Sequence, residues 1–220
     1  MGFLDAILGG GKKLKGVAPD RLFAMTTAHV TLQTELSMNS VGSAGIVFQP
    51  LNTSDFEQIL RDAHELLAGV GEENDSELES ADDEFGYRWI ILRDPDFEDL
   101  VVSLNTISTE LQGGGYGERL LAAVFPFEDN GGESGGKDSA SMQKPSSGGK
   151  HSVSMQKPSR GRRVYFIYNF KRGSFYPFVP SGGTQQRDTE RELRLKAQLE
   201  RELPFEAETT RWFPLWEIPL

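Results

Sequence analysis

The stretch Val164-Tyr165-Phe166-Ile167-Tyr168-Asn169-Phe170-Lys171-Arg172-Gly173-Ser174-Phe175-Tyr176-Pro177-Phe178 decides the fold. Two aromatic and β-branched runs, Arg163 to Phe170 and Phe175 to Pro180, flank Lys171-Arg172-Gly173-Ser174, which is a hairpin signal. A strand pair this rich in rings is expected to be half core and half packing surface. The charged run from Asp188 to Leu203 follows, with Leu195, Leu199 and Leu203 as an apolar stripe, and it stops before Pro204. The aromatic ending Arg211-Trp212-Phe213-Pro214-Leu215-Trp216 comes next.

Working back toward the amino terminus, Leu120 to Phe127 reads as a strand, and Asp96 to Gln112 as an amphipathic helix stopped by Gly113-Gly114-Gly115. Gly86 to Arg93 is a strand ended by Asp94-Pro95. Asp55 caps a helix carrying Phe56, Ile59, Leu60, Ala63, Leu66 and Leu67, which the glycines at 69 and 71 end. Ala44 to Leu51 is a short strand, while Asp20 to Leu36 fits a helix or a strand. The sum is an α+β domain, with a mainly antiparallel sheet and about four helices.

Between the strands at 120–127 and 163–170, the block Ser134 to Ser146 is repeated at once as Ser147 to Ser159, identical at eleven of thirteen positions. Ser, Gly, Lys and Pro in tandem bury no core, so residues 129–161 are expected to be a disordered insertion, a long hairpin loop inside one domain of residues 20–220. Residues 1–19 form a separate flexible or membrane-facing segment. There Phe3, Leu4, Ile7 and Leu8 share a helical face and precede Lys12, Lys13 and Lys15. That pattern fits an anionic membrane surface, or else a frayed or core-docked terminus. Met1-Gly2 is followed by Ala6 where an acylation signal needs Ser or Thr, and the lysines come after the apolar part, unlike a secretory signal.

The chain of 220 residues carries a net charge of −10, concentrated between Asp55 and Asp99, where 16 acidic residues face three arginines. Glu72 to Glu84 alone holds eight carboxylates. This run reads as a solvated acidic loop; it lacks the calcium-loop pattern, and 33 acids against nine lysines would also suit a high-salt interior. Such acidity disfavours nucleic acid as a partner.

Motifs for chemistry fail one by one. There is no cysteine for a disulfide or a thiolate metal site. His64-Glu65-Leu66-Leu67-Ala68 lacks the second histidine of a zinc-protease helix. The glycines at 113–115 and 117 follow a helix, where a phosphate loop would open one. No nucleophile elbow occurs. The aromatic strand lacks an RNA-binding signature despite Arg160, Arg162, Arg163, Lys171 and Arg172 at its ends. The sequence therefore gives no catalytic residue, metal ligand or cofactor site. It points to a binding module, with Phe175, Tyr176, Phe178, Trp212, Phe213 and Trp216, or the acidic segment, as candidate partner contacts.

These aromatic motifs, together with Met1-Gly2-Phe3-Leu4-Asp5, Phe23-Ala24-Met25, Ala44-Gly45-Ile46-Val47-Phe48, Tyr87-Arg88-Trp89 and Tyr116-Gly117, resemble the PspA-associated protein family called PspAB over nearly the whole chain. The tandem repeat looks like an addition to that pattern. The resemblance implies a cytoplasmic accessory protein of the membrane stress response, and the amino-terminal segment, where it meets the membrane, would place it at the inner face. It implies as partners PspA, an envelope-stress coiled-coil protein, or an HtpX-type membrane protease, and it brings no catalytic residue.

Overall fold

The quoted stretch forms a hairpin in the computed structural model, which describes residues 21–51, 53–71, 77–130, 162–182 and 184–220. Its strands are Arg162–Asn169 and Ser174–Phe178, and Gly173 makes the turn at φ +61° while Asn169 O accepts from the amides of Arg172 and Gly173. In chain order the elements are α1 (Ala24–Thr34), β1 (Met38–Ser40), β2 (Ser43–Phe48), α2 (Ser54–Gly71), β3 (Glu77–Asp82), β4 (Arg88–Arg93), α3 (Phe97–Gly113), β5 (Leu120–Asp129), β6 (Arg162–Asn169), β7 (Ser174–Phe178) and α4 (Thr189–Leu199). Among the described residues seven strands form one open antiparallel sheet in the order β3-β4-β2-β5-β6-β7, with β1 also pairing β5, and with four α-helices the fold is α+β.

Local chemistry explains the boundaries. The Asp96 carboxylate accepts from Glu98 N to start α3, whose Leu100, Leu104, Ile107 and Leu111 are buried. Asp188 starts α4 by accepting from Arg191 N, and α4 closes at Leu199, short of the expected Leu203. The cap of α2 is Thr53, not Asp55: Phe56 N donates to Thr53 Oγ1, and Asp55 already lies inside the helix. Asp20 to Leu36 resolves as helix from Ala24, with Met25, Ala28 and Leu32 buried at helical spacing.

β1 and β2 are one run along β5, broken at Val41–Gly42, where Gly42 takes φ +70°. Pro126 of the central strand β5 accepts from Val41 N at that break, so the amide proton that proline lacks falls where the ladder is interrupted. A correction concerns the acidic run. Glu77–Asp82 is not a solvated loop but an edge strand, paired with β4 from Glu77↔Arg93 to Asp82↔Arg88. Asp129, expected to open the insertion, is instead the last residue of β5; the rest of the insertion from residue 131, the repeat within it and the segment at residues 1–19 lie outside the described residues.

Both faces of the sheet are covered. On the first, α1, α3, α4 and Phe56 of α2 enclose Ile46, Phe48, Phe125, Phe127, Phe166, Tyr168 and Phe175. On the second, the chain beyond α4 lays Trp212 and Leu215, with Phe213, Trp216, Ile218 and Leu220, over Val47, Trp89, Ile91, Val124, Ile167, Tyr176 and Phe178. β6 is therefore buried on both faces from Val164 onward, and the tail packs on its second face. To reach the second face the chain rounds the β7 edge. Phe175 N donates to Pro204 O at 2.8 Å, and Glu206 N to Phe175 O at 2.8 Å.

Candidate functional site

The tail and the β3–β4 turn meet over the second face and leave a cleft of about 300 Å³ between them. Asp82, Asp83, Glu84, Phe85 and Trp89 line one side, and Gln185, Leu215, Trp216, Glu217 and Pro219 the other. The turn is built around Asp83. Its Oδ1 accepts from the amides of Phe85 and Tyr87 at 2.9 Å each, and its Oδ2 from Trp89 Nε1 at 3.1 Å. Gly86 supplies the positive φ of +81° that the reversal needs. This turn lifts Phe85 into solvent, 53% exposed.

The opposite wall is held by the Arg187–Glu192 pair. Glu192 is fully buried, and its carboxylate accepts from Arg187 Nε and Nη2 and from Val179 N. Arg187 Nη1 in turn donates to Trp212 O at 2.6 Å, and the guanidinium lies 5.8 Å from the Phe178 ring. Trp212 Nε1 donates to Glu206 O, and Trp216 meets Phe178 edge-on at 5.0 Å. Of the three non-glycine residues with positive φ among the described residues, two, Gln185 (+54°) and Glu217 (+57°), line the cleft. Backbone in that region costs about 1 kcal/mol per residue and gathers at binding sites.

Electrostatically the cleft is negative. Arg88 bonds Asp82 through Nε at 2.7 Å and Glu57 at 3.1 Å, and that hydrogen bond holds the Asp82 carboxyl below its ordinary range. Glu84 and Glu217 are exposed, and no cation among the described residues comes within ion-pair reach of either. Rings with carboxylates at their rim form a seat for a cationic side chain, whose charge pairs with the acids while its stem or plane lies on the rings. Among the described residues no cluster of three His, Asp or Glu side chains is placed to hold a metal ion, and no helix is long and apolar enough to cross a membrane.

The structure divides the aromatic residues singled out in the sequence. Tyr176, Phe178 and Trp212 are buried in the second-face core and Phe175 in the first-face core; Phe213 and Trp216 are half-buried against the second. Trp216 alone of the six lines the cleft. Phe3, Leu4, Ile7, Leu8, Lys12, Lys13 and Lys15 lie outside the described residues. Sequence reasoning missed Asp83, Phe85 and Glu217. The spacing of Asp83 and Gly86 is a turn signal that was legible, whereas nothing local marks Glu217 as its neighbour in space.

No curated protein and no solved structure matches this sequence. The model of the family described as PspA associated protein B, PspAB, matches residues 1–220, and the chain belongs to that family.

Proposed function

We propose that this protein is a non-catalytic accessory protein of the PspA envelope-stress system, that it works in the cytoplasm, and that it acts by holding a partner protein at the cleft between the β3–β4 turn and the tail. The observation that carries this is membership, over residues 1–220, of a family described by its association with PspA. The cleft supplies the contact: exposed Phe85 and half-buried Trp216 offer ring surface, and Glu84 and Glu217 offer charge. Aromatic anchors inside a polar rim are the usual composition of a protein-binding hot spot.

PspA is the partner proposed, and the HtpX-type protease implied by the resemblance is the competitor. The test is co-purification of each on the tagged full chain, for wild type and for Trp216→Ala with Glu84→Lys. Retention of PspA on wild type, and roughly tenfold less on the folded double variant, is the expected result. Retention of the protease in place of PspA overturns the choice of partner. Equal retention of PspA by both proteins overturns the cleft.

A further inference from the structure

The two edges of the sheet are finished differently. At β7 the outward N–H groups are all occupied or absent. Phe175 pairs with Pro204 and Glu206, Val179 N donates to the Glu192 carboxylate, Val179 O accepts from Asp188 N, and Pro177 between them has no N–H to satisfy. At β3 nothing comparable exists. Asp83 N donates to Tyr87 O, which fixes the alternation: residues 77, 79, 81 and 83 bond inward to β4. The N–H and C=O groups of Leu78, Ser80 and Asp82 then point out of the sheet, and no backbone group of the described residues meets them.

An open edge is a template for another strand, and the side chains of β3 determine which strand fits. A second copy of this chain is a poor match, because β3–β3 pairing sets beside Glu77, Glu79 and Asp82 a second strand that bears the same three carboxylates and no base. A strand bearing lysine or arginine meets opposite charge. The two faces of the edge also differ. On the helix side a hollow of about 200 Å³ is lined by Leu60, Leu78, Ser80, Ile90 and Ile107 together with Glu57, Arg61 and Arg88, and its apolar part takes an aliphatic side chain. On the other side stand Glu77 and Glu79, the latter already bonded to Arg93 at 3.3 Å, with the acidic cleft at the end of the strand.

We propose that β3 is a docking strand: an extended segment of a partner protein, alternating aliphatic residues with lysine or arginine, adds to this edge through Leu78, Ser80 and Asp82. Its aliphatic residues enter the helix-side hollow and its cations face Glu77, Glu79 and the cleft. This deepens the accessory-protein reading and rests on it only for the occupant being a protein.

The probe is a fluorescein-labelled peptide alternating lysine and valine, titrated with the full chain and followed by anisotropy at low and at physiological salt. Three comparisons accompany it: the same peptide methylated on alternate backbone nitrogens, a glutamate-for-lysine peptide, and the variant Ser80→Pro, which deletes one outward N–H and leaves the pairing with β4 intact. Binding of the parent peptide, at least about tenfold weaker after N-methylation and with Ser80→Pro, and absent for the acidic peptide, is the expected result. If the N-methylated peptide binds wild type as tightly as its parent, charge alone is responsible and the docking strand is overturned; absence of any binding overturns it equally. The methylated peptide uses the unaltered protein, so this arm holds even if Ser80→Pro misfolds. Retention of PspA without discrimination between the two peptides would leave the accessory reading standing and remove the docking strand. Discrimination without retention of PspA would do the reverse.

Discussion

Glu192 shows how one side chain can hold three parts of the chain together. Its buried carboxylate joins α4 to the β7 edge through Val179 N and to Arg187, which in turn holds the carbonyl of Trp212. Removing one partner of a buried pair leaves the other uncompensated, so Glu192→Ala is expected to cost about 3–5 kcal/mol in urea unfolding, with Glu192→Gln costing less because its amide oxygen still accepts from Val179 N. His29 behaves oppositely to a charged hub. Its ring stacks on Phe97 at 4.1 Å, and burial lowers its pKa below the ordinary 6.5, with Asp96 and Glu98 pulling the other way. The unfolded chain therefore takes up this proton first. Stability present above pH 6.5 is lost as the pH falls through 6.5 toward the folded pKa. Thermal melts from pH 7.5 to 5 should fall more steeply for wild type than for His29→Phe, and parallel curves would remove His29 from the account. Neither role was legible in the sequence, where His29 sits in a stretch of mixed periodicity and Glu192 is one of five acids on a charged helix.

Elements were legible where local signals agreed. The β6–β7 hairpin carried both a turn residue at Gly173 and ring-rich flanks, and α3 carried an acidic cap, a leucine stripe and a glycine stop. β3 was not legible, because acidic residues are poor strand formers and its only inducement is the register offered by β4. Arg88 with Asp82 and Arg93 with Glu79 stitch that pairing together, the latter at 3.3 Å. The break between β1 and β2 was equally hidden, since it depends on Val41 N meeting Pro126 O of a strand far along the chain. Gly42→Ala forces a side chain into positive φ, although its Cβ would meet only Asp94 O at 3.4 Å. A loss of about 1–2 kcal/mol by denaturant titration is expected from backbone strain alone.

At the scale of the molecule, the tail is the cover of the second face. Its residues lack periodicity and touch strands from β2 to β7, so sequence showed their richness in rings without showing what they lie on. Truncation before Trp212 should leave Val47, Ile91, Val124, Ile167 and Phe178 uncovered, raise ANS fluorescence and produce soluble aggregates in size-exclusion chromatography. A truncated chain that stays monomeric and binds no dye would contradict this. The point mutation Trp212→Ala should cost about 3–5 kcal/mol by the same reckoning of lost burial. Because a ribosome delivers the chain from its amino terminus, every strand of the sheet is made before the residues that roof it. A nascent chain ending at residue 205 and held clear of the ribosome by a carboxy-terminal linker should consequently remain protease-sensitive and bind chaperones, and one carrying the whole tail before the same linker should resist digestion. Folding of this protein is thus timed by the arrival of its tail, a clock written into the order of synthesis.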